Sequence, residues 1–211
     1  MVVDWSTTGT MLQGWGTLGG ALAVAWAAKK GADTFTGWKL QKVTERKIEQ
    51  SERILTATYR ARRALSYVRG VMMWGHELEA AEPKARENQQ LWNSVTEFKQ
   101  RRLVMAQAYF IRLSNVKEER LELEACLPMA RALFGEVLET AIDRLLHQFW
   151  MVQVNVDSYI DDEEQVPNFS KEIRRAMYDV DPRDGERNTV TDAVNEAIKQ
   201  IETVCLPVLR T

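Results

Sequence analysis

The sequence predicts an all-α protein, and three observations support this fold class. Its 211 residues include only five prolines and eleven glycines, and five of those glycines fall within the first twenty positions. The remainder is rich in Ala, Leu, Glu, Arg and Gln, which favour helices. Apolar side chains recur every three or four positions over long stretches. We therefore expect an N-terminal helix, transmembrane or buried and apolar, followed by a bundle of three long helices and two shorter C-terminal helices.

The N-terminal domain, residues 1–30, is predicted to contain a single membrane-spanning helix at about residues 8–28. Residues 11–28 carry no charge, and eighteen helical residues extend about 27 Å against a hydrocarbon core of about 30 Å. The competing interpretation is a buried helix of a soluble bundle. It arises because Gly, Ala and Thr give the segment only marginal hydrophobicity.

Two groups of side chains in this segment fit a membrane helix. Small residues on one face would let helix backbones approach closely in lipid. These residues are Gly16, Gly20, Ala23 and Ala27. Tryptophan and lysine side chains are favoured at the boundary between membrane and water. The candidate interfacial anchors are Trp15, Trp26, Lys29 and Lys30.

The same glycines match a dinucleotide-binding fingerprint, because Gly14, Gly16 and Gly19 form G-x-G-x-x-G. That motif works only where a strand turns into a helix whose N-terminus faces the pyrophosphate. The preceding residues, DWSTTGTMLQ, contain no β-branched apolar run that could form this strand. The sequence therefore argues against nucleotide binding here.

Charge is distributed unevenly along the chain, although the net charge is only −2. Residues 29–69 contain eleven Lys/Arg and four acids, a net of +7, whereas residues 70–211 carry a net of −8. Positive charge marks the cytoplasmic end of a membrane span. We therefore expect the N-terminus outside the inner (plasma) membrane, a hinge at residues 31–37 and a cytoplasmic helical-bundle domain at residues 38–211. The alternative localisation is a soluble cytoplasmic protein.

Apolar periodicity places the helices of the bundle. The first runs from residue 38 to 69, with a partly polar seam of heptad type as in a coiled coil. The connection after it, residues 70–88, contains two glycines and a proline. The remaining predicted helices are a short one at 77–82, long ones at 89–126 and 129–160, and shorter ones at 168–179 and 190–204.

A basic stripe lies on the first of these helices. Its members recur every seven residues and are joined by one more arginine: Lys39, Arg46, Arg53, Arg60 and Arg63. Anionic lipid is one possible partner. Nucleic acid is disfavoured, because no aromatic interleaving or helix-turn-helix spacing accompanies the stripe. The favoured expectation is that the stripe pairs with acidic faces of later helices of the domain.

A cluster of large apolar residues interrupts the first connection. Met72, Met73 and Trp74 lie between two predicted helices. Methionine and tryptophan are frequent at binding surfaces, so this group is a candidate partner-binding tip. The alternative is that the three side chains tuck under the bundle.

The sequence offers little for catalysis. Asp157 and Asp161 have the i, i+4 spacing that could place two carboxylates around Mg²⁺ or Mn²⁺, but a solvated acidic helix end is favoured over a metal site. His76 and His147, the only histidines, belong to no metal-binding or catalytic motif. We expect no cofactor and no small-molecule substrate, and an enzyme is disfavoured.

These features favour a single-pass membrane-anchored protein whose cytoplasmic bundle binds another protein or itself, forming a homo-oligomer. One alternative is a membrane-active effector that oligomerises through its glycine-faced span. A further alternative is a metal-dependent enzyme that uses Asp157 and Asp161. The last alternative is a wholly soluble helical protein.

Overall fold

The computed structural model describes residues 5–162, 167–180 and 187–210, without the side chains of residues 5–22, 25, 32 and 33. All regular secondary structure in these ranges is α-helical, which confirms the predicted class. The chain divides into two compact units, Met1–Lys47 and Ile48–Thr211. The helices are α1 (Trp5–Val68), α2 (Gly75–Ala85), α3 (Gln89–Ser94), α4 (Glu97–Asn115), α5 (Lys117–Glu124), α6 (Leu127–Phe134), α7 (Glu136–Asp161), α8 (Pro167–Met177) and α9 (Thr189–Leu209).

The first helix is longer than the sequence predicts. α1 is continuous over 64 residues, so the expected hinge at residues 31–37 is helical. Gly31 and Gly37 lie there, and a glycine costs a helix about 1 kcal/mol relative to alanine. Neither glycine removes a backbone hydrogen bond as a proline would, so the helix continues through both.

Within the described part of the chain, no helix combines the length and the hydrophobicity that crossing a membrane requires. The span predicted at residues 8–28 therefore has no support from the structure. Leu, Ile, Phe and Val favour insertion most strongly, whereas this segment is rich in Gly, Ala and Thr. The surroundings of Trp15, Gly16 and Gly20 lie outside what the structure describes. The other members of the two predicted groups are exposed: Ala23, Trp26, Ala27, Lys29 and Lys30.

The second and third long helices are each divided, contrary to the prediction. The expected helix at 89–126 becomes α3, α4 and α5. Thr96 caps the N-terminus of α4, because its hydroxyl accepts a hydrogen bond from the Lys99 N–H at 3.3 Å. The expected helix at 129–160 becomes α6 and α7, which are separated by Gly135. That glycine has φ of +87°, a conformation that other residues rarely adopt.

The core of the second unit is centred on α7, which contacts α4, α5, α6, α8 and α9. The seam predicted on α1 is buried from Ser51 to Val68, with Ile54, Ala61 and Val68 fully inaccessible. The inward faces of α7 and α9 complete the core, as apolar spacing predicts. Their buried apolar residues are Leu138, Ala141, Ile142, Leu145, Phe149, Val152, Val156, Val190, Val194, Ala197, Ile198, Ile201 and Cys205.

Candidate protein-binding site

Among the described residues of the second unit, three arginines are buried, and each contacts helix ends that are distant from it in sequence. Arg69, Arg102 and Arg112 are between 2% and 4% exposed. A guanidinium never loses its charge in a protein, so its burial requires a full set of acceptors. The surroundings of these arginines therefore show which loops the fold holds fixed.

Arg112, on α4, fixes the connection between α1 and α2. Its Nη1 donates to the carbonyl oxygens of Val68 at 3.4 Å and Gly70 at 2.8 Å. Its Nη2 donates to the carbonyl oxygen of Met72 at 2.7 Å. The rings of Tyr67 and Tyr109 lie 5.4 and 5.9 Å from the guanidinium carbon. One side chain thus binds three backbone carbonyl oxygens between residues 68 and 72.

Glu77, in the first turn of α2, completes the set of acceptors. Its two carboxylate oxygens accept from Arg112 Nε and Nη2, both at 2.7 Å. The carboxylate also accepts from the Trp74 N–H at 2.9 Å, which caps the N-terminus of α2. The hydrogen bond from Arg112 lowers the pKa of Glu77 below its ordinary value, and the N–H of Trp74 adds to this effect. The carboxylate is therefore held in its charged form at neutral pH.

The side chains of this connection point largely outward. Met72 is 65% exposed and Trp74 is 59% exposed, and Val71 is also exposed. Met73 is partly buried and packs against the core. Of the predicted tip, the structure therefore places two residues on the surface and one beneath it. Val71 flanks the exposed part of the tip.

Arg69, at the C-terminal end of α1, joins α8 to α9. Its donors reach the carbonyl oxygens of Ala176 at 2.9 Å and Tyr178 at 2.8 Å, and Oδ1 of Asn188 at 3.0 Å. It also pairs with Asp179 at 3.3 Å. The amide of Asn188 donates to three backbone carbonyls, so this network leaves no donor free to meet a ligand.

Arg102, on α4, contacts the residues at the C-terminus of α7. Its guanidinium carbon is 4.7 Å from the Phe98 ring and 4.6 Å from the Tyr159 ring, and Nη1 donates to the Tyr159 and Asp162 carbonyls. Asp162 pairs with it at 3.7 Å. These contacts hold the C-terminus of α7 against α4.

The candidate metal ligands, Asp157 and Asp161, lie in the last turns of α7. Asp161 accepts a hydrogen bond from Lys99 Nζ at 2.9 Å, and Asp157 is exposed. Among the residues the structure describes, no group of three or more His, Cys, Asp or Glu side chains is arranged to hold a metal ion.

The basic stripe divides between the two units. Arg60 donates to both carboxylate oxygens of Glu122 on α5 at 2.9 Å, as the expected pairing with later helices requires. Over the described ranges, no ion pair is formed by Lys39, Arg46, Arg53 or Arg63. Among the described residues, Arg60 is therefore the one member of the stripe that pairs with an acidic side chain of a later helix.

The two histidines have different surroundings. His76 is exposed beside the tip. His147 stacks on Trp150 with ring centroids 5.0 Å apart, and it lines a shallow depression of about 730 Å³ formed by residues of α5, α6 and α7.

Sequence reasoning missed the buried arginines, although a signal was present. Arg102 and Arg112 occupy the same three- and four-residue spacing as Ala106 and Tyr109 on the inward face of α4. An arginine at an inward position indicates a buried guanidinium with backbone acceptors.

No family model, curated protein or solved structure matches the chain.

Proposed function

We propose that this chain is a protein-binding helical module, and that the tip is its recognition element. The observation that supports this function is the contrast at residues 70–74. The backbone is fixed by Arg112, while the side chains of Met72 and Trp74 remain more than half exposed.

A fixed backbone lowers the cost of binding. A partner that captures a mobile loop loses part of the interaction free energy in ordering that loop. Here the hydrogen bonds from Arg112 to Gly70 and Met72 already hold the loop in one conformation. Only the exposed side chains remain to be ordered, which favours tight recognition by a small surface.

The chemistry of the tip indicates the class of partner. Tryptophan is the residue most enriched at interaction hot spots, and methionine adapts its shape to an apolar pocket. Tyr67 is 48% exposed and lies four positions before Val71. The partner is therefore a protein with an apolar pocket that admits an indole ring.

The test compares two exposed tryptophans. The full chain and its Trp74→Ala and Trp150→Ala variants are used to capture proteins from native cells, and the captured partner is then purified and titrated. Trp150 is 55% exposed, so it is a matched control on α7. We expect Trp74→Ala to weaken binding by at least about tenfold, as for a hot-spot residue, and Trp150→Ala to leave it unchanged.

Two outcomes would contradict the proposal. Equal binding by wild type and Trp74→Ala would exclude the tip as the recognition element. A loss of more than about 2 kcal/mol in stability for Trp74→Ala would show instead that the indole supports the fold.

Anchoring of this module by a span at residues 8–28 stays a prediction, as do self-assembly through Gly16 and Gly20 and the membrane-active alternative. Fractionation of cells with and without detergent tests the anchor. Recovery of the full chain in the soluble fraction at low salt would exclude it.

A further inference from the structure

The described side chains of α1 between residues 23 and 46 form a second exposed surface. Large apolar side chains in this segment are open to solvent, including Val24 at 70%, Phe35 at 64% and Trp38 at 55%. The Phe35 and Trp38 rings lie 6.0 Å apart and form one aromatic patch. Large apolar side chains grouped on an exposed helix face mark an interaction site.

Apolar and basic side chains share one side of this helix. At 3.6 residues per turn, Phe35, Trp38, Lys39, Lys42 and Arg46 fall within an arc of about 100°. Val24 falls in the same arc, three to four turns earlier. We call these six residues the aromatic–basic face. Trp26, Lys29 and Leu40 fall on the opposite side of the helix.

Charge selects the partner of this face. Residues 23–47 contain six Lys/Arg and two acids, a net of +4. Lys42 is paired with Glu45 at 2.6 Å, whereas Lys39 and Arg46 form no ion pair with a described residue. A second copy of the same helix would bring like charges together, so an anionic surface is favoured.

We propose that the aromatic–basic face binds the surface of an anionic lipid bilayer. The helix lies in the plane of the interface, where tryptophan and phenylalanine rings enter the headgroup region and lysine and arginine side chains reach the lipid phosphates. Because the helix lies flat, Lys39 and Arg46 are at the same depth, within a Debye length of about 8 Å. This mode requires no helix that crosses the membrane.

The test uses the full chain and cosedimentation with vesicles of phosphatidylcholine alone or with 30% phosphatidylserine. We expect binding to the anionic vesicles only, reduced at high salt. Lys39→Glu/Arg46→Glu should lower the partition coefficient at least about tenfold. Lys29→Glu/Lys30→Glu makes the same change in net charge away from the face and should lower it less than about threefold.

A second pair of variants tests the aromatic patch. Phe35→Ala/Trp38→Ala should also weaken binding at least about tenfold, whereas Trp26→Ala should have little effect. All these side chains are exposed, and helix content by circular dichroism verifies that each variant folds. Residues 1–22 are identical in every variant, so a selective loss reports on this face.

Three results would overturn the proposal. One is equal binding to neutral and anionic vesicles. Another is an equal loss for the two charge-reversal pairs, which would indicate attraction by net charge alone. The third is concentration-dependent self-association without lipid that Phe35→Ala/Trp38→Ala abolishes, because the partner would then be a second copy. Binding of a protein at Trp74 is independent of all three results.

Discussion

Arg112 and Glu77 face each other across α4 and α2 and form two parallel hydrogen bonds of 2.7 Å. Both side chains are largely buried, at 4% and 14% exposure. Such bidentate pairs are stronger and more directional than single bonds. The remaining Arg112 donors bind the backbone of residues 68–72, so the pair couples the end of α1 to the start of α2.

Removal of Arg112 should therefore destabilise the second unit strongly. Arg112→Met leaves the Glu77 carboxylate buried without its partner and three carbonyls without a donor, and we expect a loss of about 3–5 kcal/mol in the free energy of unfolding. Urea denaturation measures it. Arg101→Met, which removes an exposed pair with Glu97, should cost less than about 1 kcal/mol. Similar losses for both variants would contradict this role of Arg112.

The same pair makes stability depend on pH. The hydrogen bond from Arg112 lowers the pKa of Glu77 in the folded state below its ordinary value near 4.5. The folded state therefore binds this proton less readily than the unfolded state. The contribution is fully present above the unfolded pKa and is lost as pH falls through the folded pKa.

Glu77→Gln isolates this contribution. We expect the difference in unfolding free energy between wild type and Glu77→Gln to be constant from pH 7 to about pH 5.5 and to shrink below about pH 4.5. Urea denaturation at several pH values gives the curve. A difference that grew on acidification would show that the carboxylate is protonated in the native state.

Sequence patterns predicted the buried helix faces better than the helix ends. The seam of α1 is buried from Ser51 to Val68, as apolar spacing predicts, whereas Leu40 and Val43 of the same predicted seam are exposed. The helix breaks at Thr96 and Gly135 were not predicted. The spacing of apolar residues continues across both positions, so it does not indicate where one helix ends and the next begins. The C-terminal helix begins at Thr189, one residue earlier than predicted, and is capped by Asn188, whose side-chain oxygen accepts from the Thr191 N–H at 3.2 Å.

The candidate site was predictable only in part. Met72 and Trp74 stand out in the sequence as large apolar residues in a connection. Their presentation depends on Arg112, which lies 38 positions beyond Trp74 and contacts the connection only in the folded chain. Local spacing carries no information on such a contact.

Tyr109 has a buried hydroxyl that forms no hydrogen bond with a described residue. The side chain is 1% exposed, and burial raises its pKa above the ordinary value. A buried donor without an acceptor costs about 1–3 kcal/mol. Tyr109→Phe keeps the ring beside Arg112 and should leave stability unchanged or raise it by about 1 kcal/mol.

Tyr59→Phe is the matched comparison for Tyr109→Phe. The Tyr59 hydroxyl donates to Glu202 at 2.7 Å, so its removal should lower stability slightly, by less than about 1 kcal/mol. Thermal unfolding of both variants measures the contrast. A loss above about 1 kcal/mol for Tyr109→Phe would reveal an ordered water bound to its hydroxyl.

The two cysteines should be inert while the chain is folded. Cys126 and Cys205 are at most 1% exposed. Burial raises the pKa of both thiols, that of Cys205 to about 11. The thiolate is the reactive form, so at pH 8 both groups are protonated as well as inaccessible.

Labelling with a chromogenic disulfide reagent tests this protection. We expect no thiol to react within minutes in native buffer and both to react at once in concentrated urea. Cys205→Ala should reduce the urea value from two thiols to one, which assigns the signal. Slow native labelling should follow the opening of the core in which α1, α5 and α9 meet, so its rate should rise in the Arg112→Met variant. Rapid native labelling of either thiol would mean that this core opens locally without unfolding of the second unit.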